Sequence, residues 1–221
     1  MIVLFDLDGT LFDHDGADRD AALVLRAFFA SETTEEEFLQ RWRAAQRRHY
    51  RRYLSGEIAF SVQRRERIRE TIDGGLSDKD ADALFAFYFD AYRRAWRLYD
   101  DVASCLHALA GFKLGLITNG DGVVQRAKLA TLGLAGSFDC VTISGECGVA
   151  KPDRRIFHLA CATLGVPPDH AIYIGDDFVT DVQAAQAAGL NALWLDRSAR
   201  FEGAWLTSLK SLPAQLAAAA A

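Results

Sequence analysis

The chain has 221 residues, half of them hydrophobic, which is enough to bury one large core or two smaller ones. Its 25 basic and 30 acidic residues leave a net charge of −5, which argues against a global basic face for nucleic acid, and every apolar run is too short to span a membrane. The four cysteines, Cys105, Cys140, Cys147 and Cys161, show no CxxC spacing, so a zinc site or a disulfide framework is not expected and the chain reads as a reduced, cytoplasmic protein.

The first element is an apolar run, Ile2 to Phe5, with no basic segment ahead of it, so it reads as a strand and not as a signal peptide. It runs straight into Asp6 and Asp8, followed by Gly9-Thr10. From 14 to 99 the pattern is helical, and 15 Arg and 1 Lys balance 15 acids. Four helices are expected there. They span 17–30; 34–54, opened by Thr34 with acids in its first turn; 61–73, ended by Gly74-Gly75; and 78–97, capped by Ser77 with Asp80 three residues on. Phe85, Tyr88, Phe89, Tyr92 and Trp96 give the last of these an apolar stripe suited to packing between helices.

From 100 onward helices and short apolar strands alternate. Helix 102–110 precedes strand 113–117, helix 122–132 ends at Gly133, and strand 140–143 precedes helix 153–164. Strand 171–174, helix 179–188 ended by Gly189, and strand 192–195 complete the series, and the alanine run 217–221 reads as a helix end or tail. Continuous apolar strands separated by helices predict a Rossmann-like, doubly wound parallel sheet covered on both faces, which Ile2–Phe5 joins. Residues 1–13 and 100–221 then form an α/β core, and 14–99 is an all-helical insertion after its first strand.

In such a sheet the chemistry lies off the carboxyl ends of the strands. Those ends carry Asp6 and Asp8, then Thr118-Asn119-Gly120, then Lys151-Pro152, then Gly175-Asp176-Asp177 with Asp181 beyond. Taken singly, each is compatible with an ordinary turn. Together they gather hard oxygen donors suited to Mg²⁺, a lysine and a hydroxyl suited to phosphate oxygens, and a reason for two acids to share one neighbourhood. A carboxylate can attack a phosphate only where positive charge screens the two anions, so one acid can be a metal-bound nucleophile while the other handles protons.

The four motifs, Asp6-Leu7-Asp8-Gly9-Thr10, Thr118-Asn119-Gly120, Lys151-Pro152 and Gly175-Asp176-Asp177, closely resemble those of the haloacid dehalogenase superfamily over residues 1–13 and about 100–196. In position and helix content, 14–99 resembles the helical C1 cap of the subfamily that includes sugar-phosphate and nucleotide phosphatases. The resemblance implies Asp6 as nucleophile and Asp8 as general acid, then general base. It implies Mg²⁺ held by the Asp6 and Asp176 carboxylates and the Asp8 carbonyl, with Asp177 adding a direct or water-mediated contact. Thr118, Asn119, Gly120 and Lys151 would bind the phosphoryl group, and Asp181 would orient Lys151 or the metal's waters. Dehalogenases and phosphonate hydrolases of the superfamily lack an acid at the position of Asp8, so a phosphatase acting on a small phosphorylated metabolite is expected. A phosphomutase of the β-phosphoglucomutase type and a non-catalytic phospho-ligand-binding module are the alternatives.

A cap of this kind closes over the site and meets the leaving group, so its arginines are candidates for substrate contact. Arg41, Arg48 and Arg52 share one helical face, with Arg47 and Arg51 beside it. The alternative is a solvated face paired with acids such as Glu36 and Glu37. His14 and Asp15 stand where the chain enters the insertion and could line its entrance; His49 lies mid-helix and reads as structural. The expected partner is a small molecule, with neither nucleic acid nor membrane, and the chain is a monomer or homodimer.

Overall fold

The computed structural model describes residues 2–199 and 205–220. The chain divides into two compact units, one of Met1–Asp13 with Arg97–Ala221 and one of His14–Trp96. The first unit is built on five parallel strands: β1 (Ile2–Phe5), β2 (Lys113–Thr118), β3 (Cys140–Ile143), β4 (Ala171–Gly175) and β5 (Asn191–Trp194). Their spatial order is β3-β2-β1-β4-β5. Strand β1 therefore pairs with β2 on one side and β4 on the other, and the winding reverses at its edge. Phe5 lies opposite Leu116 and Ile174, so β1 ends first and Asp6 follows directly, while β2 runs on to Thr118 and β4 to Gly175.

Burial on both faces explains why the strands are uniformly apolar. Ile2 and Leu4 pack with Ile117, Tyr173 and the inward face of a helix whose Ile156, Phe157, Ala160, Cys161 and Leu164 recur at helical spacing. At Gly115 a Cβ would sit 2.5 Å from Leu4 Cδ2, so only glycine lets Leu4 fill that space. All four cysteines are unpaired thiols, and among the described residues no helix is long and apolar enough to cross a membrane.

The first unit also holds α5 (Val102–Ala108), α6 (Gly122–Thr131), a single turn α7 (Ser144–Cys147), α8 (Arg154–Leu164), α9 (Ala184–Ala187) and α10 (Leu212–Ala220), the numbers α1 to α4 belonging to the helical unit. Helix α10 carries the alanine run to residue 220; Ala221 lies outside the described residues. The helix expected over 179–188 is a π-helical turn, Phe178–Gln183, continued by α9. Asp177 caps it, its Oδ1 accepting from the N–H groups of Val179 and Thr180 at 2.9 and 2.7 Å. Helix α7 was not expected, because a single turn has no readable period, and of α10 only the alanine run was read, as a helix end or tail.

The helical unit contains α1 (His14–Phe29), α2 (Glu35–Leu54), α3 (Phe60–Thr71) and α4 (Asp78–Arg94). Thr34 and Glu37 form the reciprocal cap of α2, and the Ser77 hydroxyl accepts from the Asp80 N–H at 3.2 Å at the start of α4. The aromatic stripe of α4 does turn inward: Tyr88, Tyr92 and Trp96 are buried. Helix α4 stops at Arg94, shorter than its apolar stripe suggested. Arg97 to Tyr99 instead pair with the β1 loop through Asp13 N–H to Arg97 O (3.1 Å) and Tyr99 N–H to Leu11 O (3.1 Å).

Four helices cross at a buried charge. Asp18 Oδ1 of α1 accepts from Arg67 Nη2 of α3 (2.6 Å), the Tyr88 hydroxyl of α4 (2.6 Å) and Trp42 Nε1 of α2 (3.2 Å). The Arg67 guanidinium stacks 3.7 Å above the Trp42 ring. Burial opposes the Asp18 charge, yet Arg67 leads a set of partners that hold the carboxyl below its ordinary range. Removing one member leaves the other charged and buried, so Arg67→Ala is expected to destabilise the chain by about 3–5 kcal/mol. Urea unfolding of wild type and variant measures it; a loss below about 1 kcal/mol, typical of exposed pairs, would show that the pair is not buried in solution.

Candidate active site

Backbone geometry makes room for the acids at the strand ends. Gly9 has φ of +90°, which turns the chain sharply after β1, and a Cβ there would overlap the Asp176 carboxylate. A Cβ at Gly175 would overlap the Asp181 side chain. These two glycines let Asp6, Asp176 and Asp181 converge, with one carboxylate oxygen of each within 4.8 Å of the others.

Lys151 is the cation that holds this group. Its buried ammonium donates to Asp6 Oδ1 (2.6 Å), Asp181 Oδ1 (2.6 Å) and the Tyr173 hydroxyl oxygen (2.9 Å). Tyr173 OH lies 3.1 Å from the Ile117 carbonyl and 3.2 Å from Asp181 Oδ1, both acceptors for its proton. The lysine's own backbone is clamped by Asn119, whose Nδ2 donates to Lys151 O (2.9 Å) while Oδ1 accepts from Lys151 N–H (2.8 Å). Burial works against the ammonium, but Asp181 and Asp6 hold it well above the ordinary lysine range.

One ammonium among three carboxylates leaves negative charge uncompensated. Burial pushes Asp6 up to about 7 against the pull of Lys151, with Asp181 and Asp8 adding repulsion. Burial, then Asp6 and Asp181, push Asp176 up to about 8. A divalent cation would supply the missing charge, and the donor set, all carboxylate oxygen, fits a hard metal ion.

The other expected residues fall as follows. Thr118 is buried at the end of β2, where its Oγ1 accepts from Gln125 Nε2 at 2.7 Å. Gly120 donates its N–H to Ser144 Oγ (2.9 Å). The Asp8 carboxylate is held by α6: Lys128 Nζ donates to Oδ1 (2.6 Å) and Gln125 Nε2 to Oδ2 (3.0 Å). Asp177 is engaged as the cap described above and is not one of the three converging acids, whereas Asp181 is. Both Asp181 oxygens have partners, since Oδ2 accepts from the Asp177 N–H at 3.1 Å.

In the helical unit the candidate arginines have partners of their own. Arg41 donates to the Glu70 and Thr71 carbonyls (3.3 and 3.1 Å), Arg48 to Glu70 Oε1 (2.5 Å) and Arg52 to Glu57 Oε1 (2.7 Å). The acids hydrogen-bonded to Arg48 and Arg52 are Glu70 of α3 and Glu57 of the loop before it, while the charge of Arg41 acts on Glu37. His49 pairs with Glu70 at 2.7 Å, and His14 Nδ1 lies 2.8 Å from the Tyr92 hydroxyl. Asp15 stands in the first turn of α1.

Gln125, Lys128 and Tyr173 were not singled out from sequence. Each had a usable signal: a polar group on an apolar strand or on the buried face of a helix must find a partner.

A family model described as haloacid dehalogenase-like hydrolase matches residues 1–189. The chain belongs to the haloacid dehalogenase-like hydrolases. Among curated relatives it is 38% identical to a phosphoserine phosphatase of Thermus thermophilus over 154 residues, 67% of this chain and 61% of that one. It is 32% identical to the N-acylneuraminate-9-phosphatase of Mus musculus over 207 residues, 90% of this chain and 83% of that one. Among solved structures it superposes on the HAD-hydrolase YfnB of Bacillus subtilis, crystallised with magnesium, with a TM-score of 0.82 at 21% identity, covering 97% of both chains. That last likeness bears on the fold, a five-stranded parallel core with a helical insertion after β1.

Within this hydrolase, replacing Lys151 by Met would leave Asp6 and Asp181 buried face to face. The variant is expected to lose activity by at least roughly 10²–10³-fold, the scale for removing a preorganised charge at a reacting centre. It is also expected to lose about 3–5 kcal/mol of stability. Steady-state kinetics and thermal melting read both; activity kept within a few-fold would remove Lys151 from the site.

Proposed function

We propose that the chain is a Mg²⁺-dependent phosphatase that hydrolyses a phosphate monoester of a small metabolite through an aspartyl-phosphate on Asp6. The observation that carries this reading is Asp8. A second acid follows Asp6 by two residues, and its carboxylate is gripped on both oxygens by Lys128 and Gln125, beside Thr118. A halide leaving group needs no proton, whereas an alkoxide does. The curated relatives, which are named as phosphatases of phosphoserine and of N-acylneuraminate 9-phosphate, support the same class of substrate.

In this scheme an Asp6 oxygen forms a bond to phosphorus while the ester P–O bond breaks. The electron pair leaves on the ester oxygen, which takes the proton of Asp8. Asp8 then accepts a proton from the water that attacks the phosphorus and returns Asp6 to its carboxylate. Lys151, the Thr118 hydroxyl and the Asn119 N–H bind the phosphoryl oxygens, and Gly120, whose N–H is taken by Ser144 Oγ, shapes the turn beside them. Asp6, Asp176 and the Asp8 carbonyl would hold Mg²⁺, which supplies the positive charge needed to bring a phosphate up to a carboxylate. Asp181 keeps Lys151 in place.

Phosphate release from a panel of phosphorylated amino acids, sugars and nucleotides, with and without Mg²⁺, tests the reading. Release is expected only with Mg²⁺ and is expected to be abolished in Asp6→Asn. Mg²⁺ at a hundred times its dissociation constant should raise stability by about 2.7 kcal/mol, and Asp176→Asn should remove that gain. No release from any compound, a generic aryl phosphate included, would overturn the hydrolase reading in favour of a mutase or a phospho-ligand-binding module.

A further inference from the structure

The mechanism above uses Asp8 for two proton transfers, and an aspartate side chain can turn freely about its two torsions unless something stops it. The buried face of α6 does this. Lys128 and Gln125 are one helical turn apart, both are buried, and both reach the same carboxylate. Lys128 Nζ holds Oδ1 at 2.6 Å, backed by the Phe12 ring 4.8 Å away. Gln125 Nε2 holds Oδ2 at 3.0 Å and reaches Thr118 Oγ1 at 2.7 Å and the Asn119 carbonyl at 3.2 Å.

Helix α6 is itself well anchored. Asp121 caps its start, accepting from the Val124 N–H at 3.0 Å, and Arg126 pairs with Glu146 of α7 at 2.7 Å. A charged amine and a buried amide are costly to desolvate, and neither is needed to bury α6 against a sheet. Their common target explains why they are there.

We propose that Lys128 and Gln125 are positioning residues that fix the Asp8 carboxyl for proton transfer. Gln125 in addition ties that carboxyl to Thr118, so that the proton-transfer group and the phosphate-binding strand end keep one geometry. This rests on the phosphatase reading of the site. Lys128 acts through Asp8, and Gln125 through Asp8 and Thr118.

The test compares two esters in the intact chain with Mg²⁺ present: p-nitrophenyl phosphate, whose phenolate leaves without help, and a simple alkyl phosphate, whose alkoxide needs the proton. The parameter is kcat/KM, which reports steps up to departure of the leaving group. Lys128→Met and Gln125→Leu are each expected to lose roughly 10²-fold on the alkyl ester and less than about tenfold on the aryl ester. The ratio of the two losses is the readout, because general damage to the fold lowers both alike. In an Asp8→Asn background, Lys128→Met should add no further loss on the aryl ester.

Equal losses on the two esters, or an undiminished Lys128→Met effect in the Asp8→Asn background, would overturn the proposal. Should Lys128→Met melt below the assay temperature, Gln125→Leu decides, since it changes no charge. A wild-type chain inactive on both esters would instead overturn the phosphatase reading.

Discussion

Three carboxylates are packed around one buried ammonium, and much of the site's architecture answers to that constraint. Burial first, and the repulsion of neighbouring acids second, push Asp6 up to about 7 and Asp176 up to about 8. Lys151 satisfies two of the three acids directly, at 2.6 Å each. The fold devotes Asn119, Tyr173 and two glycines to keeping that arrangement in place. The remaining charge deficit is what a divalent cation, and then a phosphoryl group, would complete.

The parallel sheet places this cluster at the point where the winding reverses. Since β1 lies between β2 and β4 in register, the residues just past Phe5, Thr118 and Gly175 meet without any long excursion of the chain. The two units solve the same physical problem differently. In the helical unit a single buried carboxylate, Asp18, is fully answered by Arg67, Tyr88 and Trp42, and its charge is stabilised. In the sheet unit the acids are left partly unanswered, which suits a reactive site and costs stability.

Most of this was legible in the sequence because the informative residues stand where strand periodicity stops. Apolar strands ending in Asp6, Thr118 and Gly175-Asp176 could be read without coordinates, and so could the helical insertion and its caps at Thr34 and Ser77. What sequence could not supply was direction. The resemblance implied that Asp181 orients Lys151 or the metal's waters and that Asp177 adds a metal contact; the π-helical turn puts Asp181 on Lys151 and uses Asp177 as a helix cap. The same holds for Gln125 and Lys128, whose helix looked like ordinary covering for the sheet. The arginines of α2 were prominent in sequence, yet Arg41, Arg48 and Arg52 engage α3 and the loop before it.

The central claim is that Asp6 becomes covalently phosphorylated. Rapid acid quench of the chain with Mg²⁺ and a substrate labelled in its phosphoryl group, followed by peptide mapping, tests it most directly. The expected result is up to one phosphoryl group per chain, on the peptide that contains Asp6, and none in Asp6→Asn. Turnover without any label on that peptide, or label that persists in Asp6→Asn, would contradict it.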